Sequence, residues 1–566
     1  MKKLRTILPL LFCLAVCFPA ASFAGPAGAR EDWDEKIDTL VTSMQRYYEE
    51  TGETDKIAPY DETITVSYVN YYEPMTQDAM NTFTDEYGET WDRTRWTEAA
   101  RRLYNMNLTA NWWVADHQYE QRLRMDIISG ELPDIFLVPD QEDLQVLAES
   151  GKIWDLSGLY GQYATQMDKA SWESDGGYLL KMATFDGKLY GIPAGLSDTD
   201  LFSYIWIRRD WLDRLKLEAP KTLAELKTAM SAFMTADLDG NGKDDTIGLG
   251  VDKDLFYTTR GIFAAFGAYP EYWEQKDGRL AWGGTTEATR QALDFLAGLY
   301  AEGYLDREFF TKDNSDMLER AVSGRCGVVY GAHWLGMSWG DAREADPEAD
   351  WICIDLPKVS ADAPEVRQCL QPYGHGWVAV SRKCPYPEAV FKLFAMADYS
   401  WYGEDSGWWI YDENASWMLS PVHVCCSAWE NINAYRMIQE AYRSGDPSRL
   451  HFNALAYWEK LHSDFSYEWS LMFGNSAERD GIAMEIASQA QEKGLLFYEP
   501  YYGAQSAYMQ DHWNAIRDEQ LLAFIRIIIG EVPVNEGFDA WLGSFSSLGG
   551  DRITEEVNAW YAGQKP

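Results

Sequence analysis

Apolar positions along the chain follow two rhythms. Short runs dense in β-branched and aromatic residues read as strands: Thr63–Val69, Leu108–Val114, Asp134–Val138, Tyr204–Ile207, Gly327–Tyr330, Trp351–Pro357 and Gln371–Ser381. Elsewhere apolar residues return every three or four positions, which predicts helices over Trp33–Tyr48, Arg95–Tyr104, Arg208–Leu217, Thr222–Met234, Ala288–Glu302 and Pro387–Asp398. Within His117–Ser129, Tyr119, Leu123 and Ile127 share one helical face before Ser129–Gly130 end it. Thr222 with Glu225 three residues on is a capping-box signature, and Pro387 suits a first helical turn. The turn at Asp186–Gly187 feeds a short apolar run that Pro193 is expected to cut off. A β-α-β-α-β alternation over the first third predicts an α/β fold, a mixed sheet flanked by helices.

Composition changes this picture in two ways. With 566 residues the chain has room for two to four structural units. Aromatic residues make up 14%, including 25 Trp and 34 Tyr, a richness that suits a cleft in which flat rings cover the apolar faces of sugar rings. The formal net charge of −40 sets up a field that repels phosphate backbones and anionic lipid, so nucleic acid is not an expected partner. Highly anionic ligands are disfavoured too, unless the cleft gathers its own Arg and Lys.

Residues 1–24 read as a secretory signal: Lys2, Lys3 and Arg5, an apolar stretch from Ile7 to Phe18, then Ser22 and Ala24 before Gly25. A lipid anchor at Cys17 is the alternative address, although Val16 is bulky for that motif. Beyond the signal stand Cys326, Cys353, Cys369, Cys384, Cys425 and Cys426, too scattered for zinc. A disulfide is permitted outside the cell, but buried free thiols are the favoured reading.

The sharpest chemistry lies in Thr235–Gly250. Asp237, Asp239 and Asn241 alternate, Gly240 and Gly242 allow tight turning, and Asp245 follows. Alternating oxygen ligands suit a hard cation, with Lys243 supplying its backbone carbonyl, so Ca2+ in a structural role is expected over 237–248. The twelfth position is Gly248 where an EF-hand carries a bidentate Glu, making this an EF-hand-like loop.

Arg208–Leu212 (RRDWL), Pro220–Leu226 (PKTLAEL) and Asp237–Asp245 occur in an order that resembles the extracellular solute-binding proteins of bacterial ABC importers, the large carbohydrate-type lipoproteins of Gram-positive bacteria. Ser129–Val138, Leu147–Leu159 and the C-terminal tail carry the same resemblance. It implies a two-lobed periplasmic-binding-protein-like fold of type II with a cleft between discontinuous lobes. After an extension over 25–61, lobe I is expected from 62–190 plus 371–420 and lobe II from 191–370 plus 421–566. The implied function is extracellular capture of a carbohydrate, with an oligosaccharide favoured, by a monomer that closes and delivers it to permease subunits, without catalysis.

Expected ligand-contacting residues lie at strand ends and crossings: Tyr71, Tyr72, Trp112, Trp113, Asp140, Gln141, Trp334, Tyr373, His375, Trp377, Trp408 and Trp409. Rings would stack on sugar faces and planar carboxylates or amides would take hydroxyl pairs. Trp206 and Trp211 are assigned to packing. Two alternatives stand beside this reading: a secreted glycoside hydrolase using paired Asp/Glu, and a binding protein for a non-sugar solute such as a peptide. No GxSxG, HExxH, Walker or Rossmann motif is present.

Overall fold

Two separate sheets organise the chain. The computed structural model describes residues 29–195, 202–243, 245–370, 374–403, 416–450 and 452–564. The signal segment with Cys17, the positions Tyr373, Trp408 and Trp409, and the side chain of His375 lie outside the described residues.

The first sheet holds β1 (Ile64–Tyr72), β2 (Met106–Ala115), β3 (Ile135–Val138), β4 (Ile192–Gly195) and, returning from far along the chain, Gly374–Val380. Strands β1, β2 and β3 run parallel, with β1 between the other two. The returning strand runs antiparallel between β3 and β4. Pro193 does not end its strand. It lies inside β4, because β4 is the sheet edge and a residue without an N–H costs no ladder bond on the unpaired side.

In the second sheet, β5 (Tyr204–Arg208) is central, flanked antiparallel by β6 (Val328–Gly331) and β7 (Trp351–Ile354). Its strands are buried on both faces. Ile205, Ile207, Val328, Tyr330 and Ile352 face one hydrophobic core, while Tyr204, Trp206, Val329, Trp351 and Cys353 face another. A continuous apolar run is therefore what such a strand requires, since successive side chains point to opposite faces. β8 (Gln368–Leu370) pairs in parallel with β10 (Leu496–Tyr498); the returning strand Gly374–Val380 is β9.

Core membership divides the chain into two lobes. Buried residues from Trp33 to Ala194 and from Trp377 to Cys426 share one core. Those from Phe202 to Leu370 and from Ile432 to Val557 build the other two. The chain thus passes between lobes three times, after Gly195, after Leu370 and after Cys426. These crossings fall a few residues beyond the expected 190 and 420, because Ile192 and Ala194 pair against β9 and Val422–Cys426 pack on the first core. The stretch expected as a separate extension is a helix, Ala29–Glu50, whose Trp33, Ile37, Leu40, Met44 and Tyr48 are buried in that core. Trp206 and Trp211 are fully buried, and the six cysteines are buried as well. No helix among the described residues is long and apolar enough to cross a membrane.

Candidate functional site

The site is assembled where strand ends of both lobes meet. On the lobe I side, β3 delivers Pro139, Gln141 and Glu142, the helix Tyr178–Met182 adds Tyr178 and Leu179, and β9 adds Gly376 and Trp377. Gly376 has φ +119, and a Cβ there would lie 2.2 Å from the Val138 carbonyl oxygen. Only glycine lets β9 come this close to the end of β3, which sets Trp377 beside the cavity. On the lobe II side, Glu499 follows β10 directly, Leu370 ends β8, and Glu271–Trp273 and the helix Ala507–Ile528 complete the wall. Ligands collect at the carboxyl ends of strands in open α/β sheets, and β3, β8 and β10 all end here. The cavity, open to solvent on one side, is about 330 Å³.

Aromatic rings dominate the lobe II wall. Trp273 stacks on Trp513 with centroids 5.6 Å apart at 15°, and Trp282 meets Trp513 edge-on at 4.6 Å. Across the mouth Tyr178 stacks on Tyr498 at 5.1 Å, and its hydroxyl donates to the Tyr501 carbonyl at 3.3 Å. Gln141 Nε2 donates both to Met182 O in lobe I (2.7 Å) and to Tyr502 O in lobe II (2.9 Å). These contacts tie the lobes together across the cleft.

Three carboxyl groups line the cavity: Glu142, Glu271 and Glu499. Glu499 Oε1 accepts from the Trp273 N–H at 2.6 Å. Burial pushes its carboxyl up to about 8, against the pull of that N–H and of the Arg517 charge. Burial likewise raises Glu142 above the ordinary carboxylate range, with the Asp140 and Asp143 charges adding to it. Glu271 is held by Arg260 at 2.8 Å.

Of the expected contact residues, the structure brings Gln141 and Trp377 to this cavity. Trp377 is nearly buried, with Nε1 donating to Leu179 O at 2.9 Å. Tyr71, Tyr72, Trp112 and Trp113 lie at the same edge of the first sheet but do not line the cavity; they pack on one another's neighbours instead. Tyr71 stacks on His423 (5.0 Å, 14°), Tyr72 and Trp113 both rest on Trp91, and Trp112 Nε1 donates to Asp126 at 2.8 Å. Asp140 sits before the helix Gln141–Glu149 and pairs with Arg124 at 3.3 Å. Trp334 packs edge-on to His333 in lobe II, away from the cavity. Sequence reasoning missed Tyr178, Tyr272, Trp273, Glu499, Tyr501 and Tyr502. A signal existed: YEPYYG (Tyr498–Gly503) and YPEYW (Tyr269–Trp273) repeat the aromatic-acidic character of NYYEP (Asn70–Pro74), which holds the expected Tyr71 and Tyr72.

In the acidic loop, Asp237 has φ +42, and Gly240 and Gly242 have φ +68 and +71. Asn241 Nδ2 donates to Asp239 Oδ2 (2.5 Å) and Asp245 Oδ1 (2.9 Å), and both Asp237 oxygens accept from Gly242 N at 3.2 Å. The carboxyl of Asp239 is raised by burial and by the nearby Asp237 and Asp245. The amide nitrogen faces the carboxylates, and among the described residues no three His, Cys, Asp or Glu side chains stand in a metal-holding arrangement. Rotating the Asn241 amide would present its oxygen instead, so the donor set fits a hard cation. At Gly248 an added Cβ would lie 2.8 Å from the Tyr304 ring, which leaves no room for a twelfth-position Glu.

Two α/β lobes joined by three crossings around an aromatic cavity define a two-lobed ligand-binding protein. The chain belongs to the bacterial extracellular solute-binding protein family, whose sequence profile matches residues 104–397, just over half of it. Among characterised relatives it is 32% identical over 239 residues to the polygalacturonan/rhamnogalacturonan-binding protein YtcQ of Bacillus subtilis, an alignment covering 41% of this chain and 45% of that protein. It is 26% identical over 238 residues to the fructooligosaccharide ABC transporter substrate-binding protein FusA of Streptococcus pneumoniae, covering 39% and 43%. The matched segments thus span about half the length of these relatives. In fold it is similar to a solved HMO-binding, ABC-transporter-associated solute-binding protein from Bifidobacterium longum infantis: TM-score 0.61, 15% identity, 89% of this chain and 99% of that one.

Proposed function

We propose that this protein is the capture component of an ABC importer for a carbohydrate, and that it binds an oligosaccharide between its lobes without altering it. The observation that carries this reading is the interlobe cavity, walled by Trp and Tyr rings and edged by planar Gln and Glu groups from both lobes. Rings cover the apolar faces of a sugar, and planar acceptors take pairs of hydroxyls; an unpaired buried hydroxyl costs about 1–3 kcal/mol, which makes such a wall selective. Closure follows if ligand binds the closed arrangement more tightly than the open one, and the closed surface then presents itself to permease subunits. The family is extracellular; whether the mature chain starts after Ala24 or is acylated at Cys17 is read from the mass of its N-terminal peptide.

Oligosaccharides are expected to raise the melting temperature of the mature protein, with the glycan recovered intact. At 100 times its dissociation constant a ligand stabilises by about 2.7 kcal/mol, well within the reach of calorimetry. New reducing ends in the recovered glycan would replace capture by hydrolysis through cavity carboxyls. A shift with peptides and none with glycans would retain the fold and remove the sugar.

Calcium is proposed as a structural ion of lobe II, held by Asp237, Asp239, Asn241, Asp245 and the Lys243 carbonyl. It would relieve the mutual repulsion of three loop carboxylates and do no chemistry on the ligand. Chelation is expected to lower the melting temperature of lobe II while glycan preference is unchanged, and Asp237→Ala to abolish the calcium-dependent part of that shift. A change of preference on chelation, with the fold intact, would give the ion a different role.

A further inference from the structure

We infer that the cleft selects uncharged oligosaccharides and rejects uronates, an inference that rests on the carbohydrate-capture reading and goes beyond it. The wall carries Glu142, Glu271 and Glu499, contributed by both lobes. Against them Arg517 is the single cation among the described lining residues, and it lies on the exposed rim. The other nearby guanidinium, Arg260, lies outside the lining and is paired with Glu271 at 2.8 Å. A polyuronide site needs buried guanidinium or ammonium groups to pair each carboxylate, ideally in two-pronged fashion, and this cavity has gathered none.

The hydrogen-bond chemistry points the same way. A sugar hydroxymethyl group can donate to a Glu carboxylate or to the Gln141 oxygen. Oxidised to a carboxylate it becomes acceptor-only, loses those bonds, and is left beside carboxyl and amide oxygens at the cost of its own hydration. Burial raises the carboxyls of Glu142 and Glu499, so this cavity disfavours carboxylate charge, and an incoming uronate is opposed by the same environment. The consequence separates this chain from its polygalacturonan/rhamnogalacturonan-binding relative, despite 32% identity over the aligned segment.

The test screens the full mature protein against matched neutral panels (fructo-, galacto- and gluco-oligosaccharides, neutral milk-type glycans) and acidic panels (oligogalacturonates, oligoalginates). The tightest neutral ligand is then oxidised at C6 and both forms are titrated by calorimetry. The uronate is expected to bind at least about tenfold more weakly, a gap typical of like-charge juxtaposition in a desolvated site. Glu142→Gln is expected to narrow that gap severalfold, read as the ratio of the two dissociation constants so that a general loss of affinity cancels. Binding of an acidic glycan as tightly as its neutral counterpart overturns the inference, as does a gap that Glu142→Gln leaves unchanged. If neither panel binds, the capture reading itself fails, which is a distinguishable result.

Discussion

Replacing Glu89 by alanine is expected to destabilise lobe I by about 3–5 kcal/mol, the largest single-site effect outside the apolar core. Glu89 and Arg95 are fully buried and pair at 2.7 Å. The carboxylate also accepts from the Arg95 backbone N–H (2.8 Å) and from Trp33 Nε1 (3.1 Å), so it joins the N-terminal helix to the helix Arg95–Tyr104. The guanidinium lies 3.8 Å from the centroid of Phe83. Removing the carboxylate leaves this charge in a dry pocket with its main counter-ion gone, which costs far more than the pair's own net contribution. For a lobe of roughly 200 residues, that translates to a fall of roughly 6–20 °C in its calorimetric transition. Glu98, also buried but bound to Arg101 and Arg102, whose guanidinium groups reach solvent, is the control: Glu98→Ala is expected to cost less than about 2 kcal/mol, because the charges it leaves behind can be hydrated. Equal losses at the two sites would mean that burial of the partner guanidinium is not what makes Glu89 matter.

The second large effect has the opposite sign. Asp168 and Asp398 are both fully buried in lobe I and face each other. Neither Asp398 oxygen has another partner, while Asp168 Oδ2 accepts from Thr165 N at 2.8 Å. Glu53, Tyr47, Tyr48 and Tyr104 face the pair, and none of them supplies a positive charge. Burial therefore pushes Asp168 up to about 6 and Asp398 well above its ordinary value, the latter also through Asp168 itself. The folded chain holds these protons more tightly than the unfolded chain. Their contribution to stability is present at low pH and is lost as pH rises from about 4 through the folded value of Asp168 near 6 and through the raised one of Asp398. Asp398→Asn is expected to raise the melting temperature at pH 8, by about 2–3 kcal/mol of stability, and to flatten the difference between pH 4 and pH 8 relative to the parent. Destabilisation of that variant at pH 8 would show that the pair is held by a cation or another partner.

Elements were legible where local rules decide them. The helix Arg95–Tyr104 begins and ends where its spacing predicts, because Thr94 caps it and Asn105 closes it in the left-handed region. Thr222 and Glu225 form the expected capping box, each side chain accepting from the other's backbone N–H. Strand β5 follows from YIWI alone, since only a strand buried on both faces calls for four successive large apolar residues. Pro193 misled for a reason outside its neighbourhood: whether a strand lies at an edge depends on which strand pairs beside it, and β4 is paired by a segment some 180 residues later.

The candidate site divides along the same line. By itself the sequence determined the alternation of strands and helices, the strongly acidic net charge, the oxygen-rich loop at 237–245, and the family resemblance, all of which depend on residue type and near-neighbour spacing. Only the tertiary structure decided which aromatic side chains wall a cavity. Tyr71 and Trp112 stand at strand ends as Gln141 and Trp377 nearly do, yet the first two are covered by His423, Tyr119 and Asp126 of their own lobe. The cavity forms instead where β3 and β9 of one lobe meet Trp273, Glu499 and Trp513 of the other. Those residues are brought together by three chain crossings, so the contacts that select them lie hundreds of positions apart, where no local pattern of apolar and polar residues reaches.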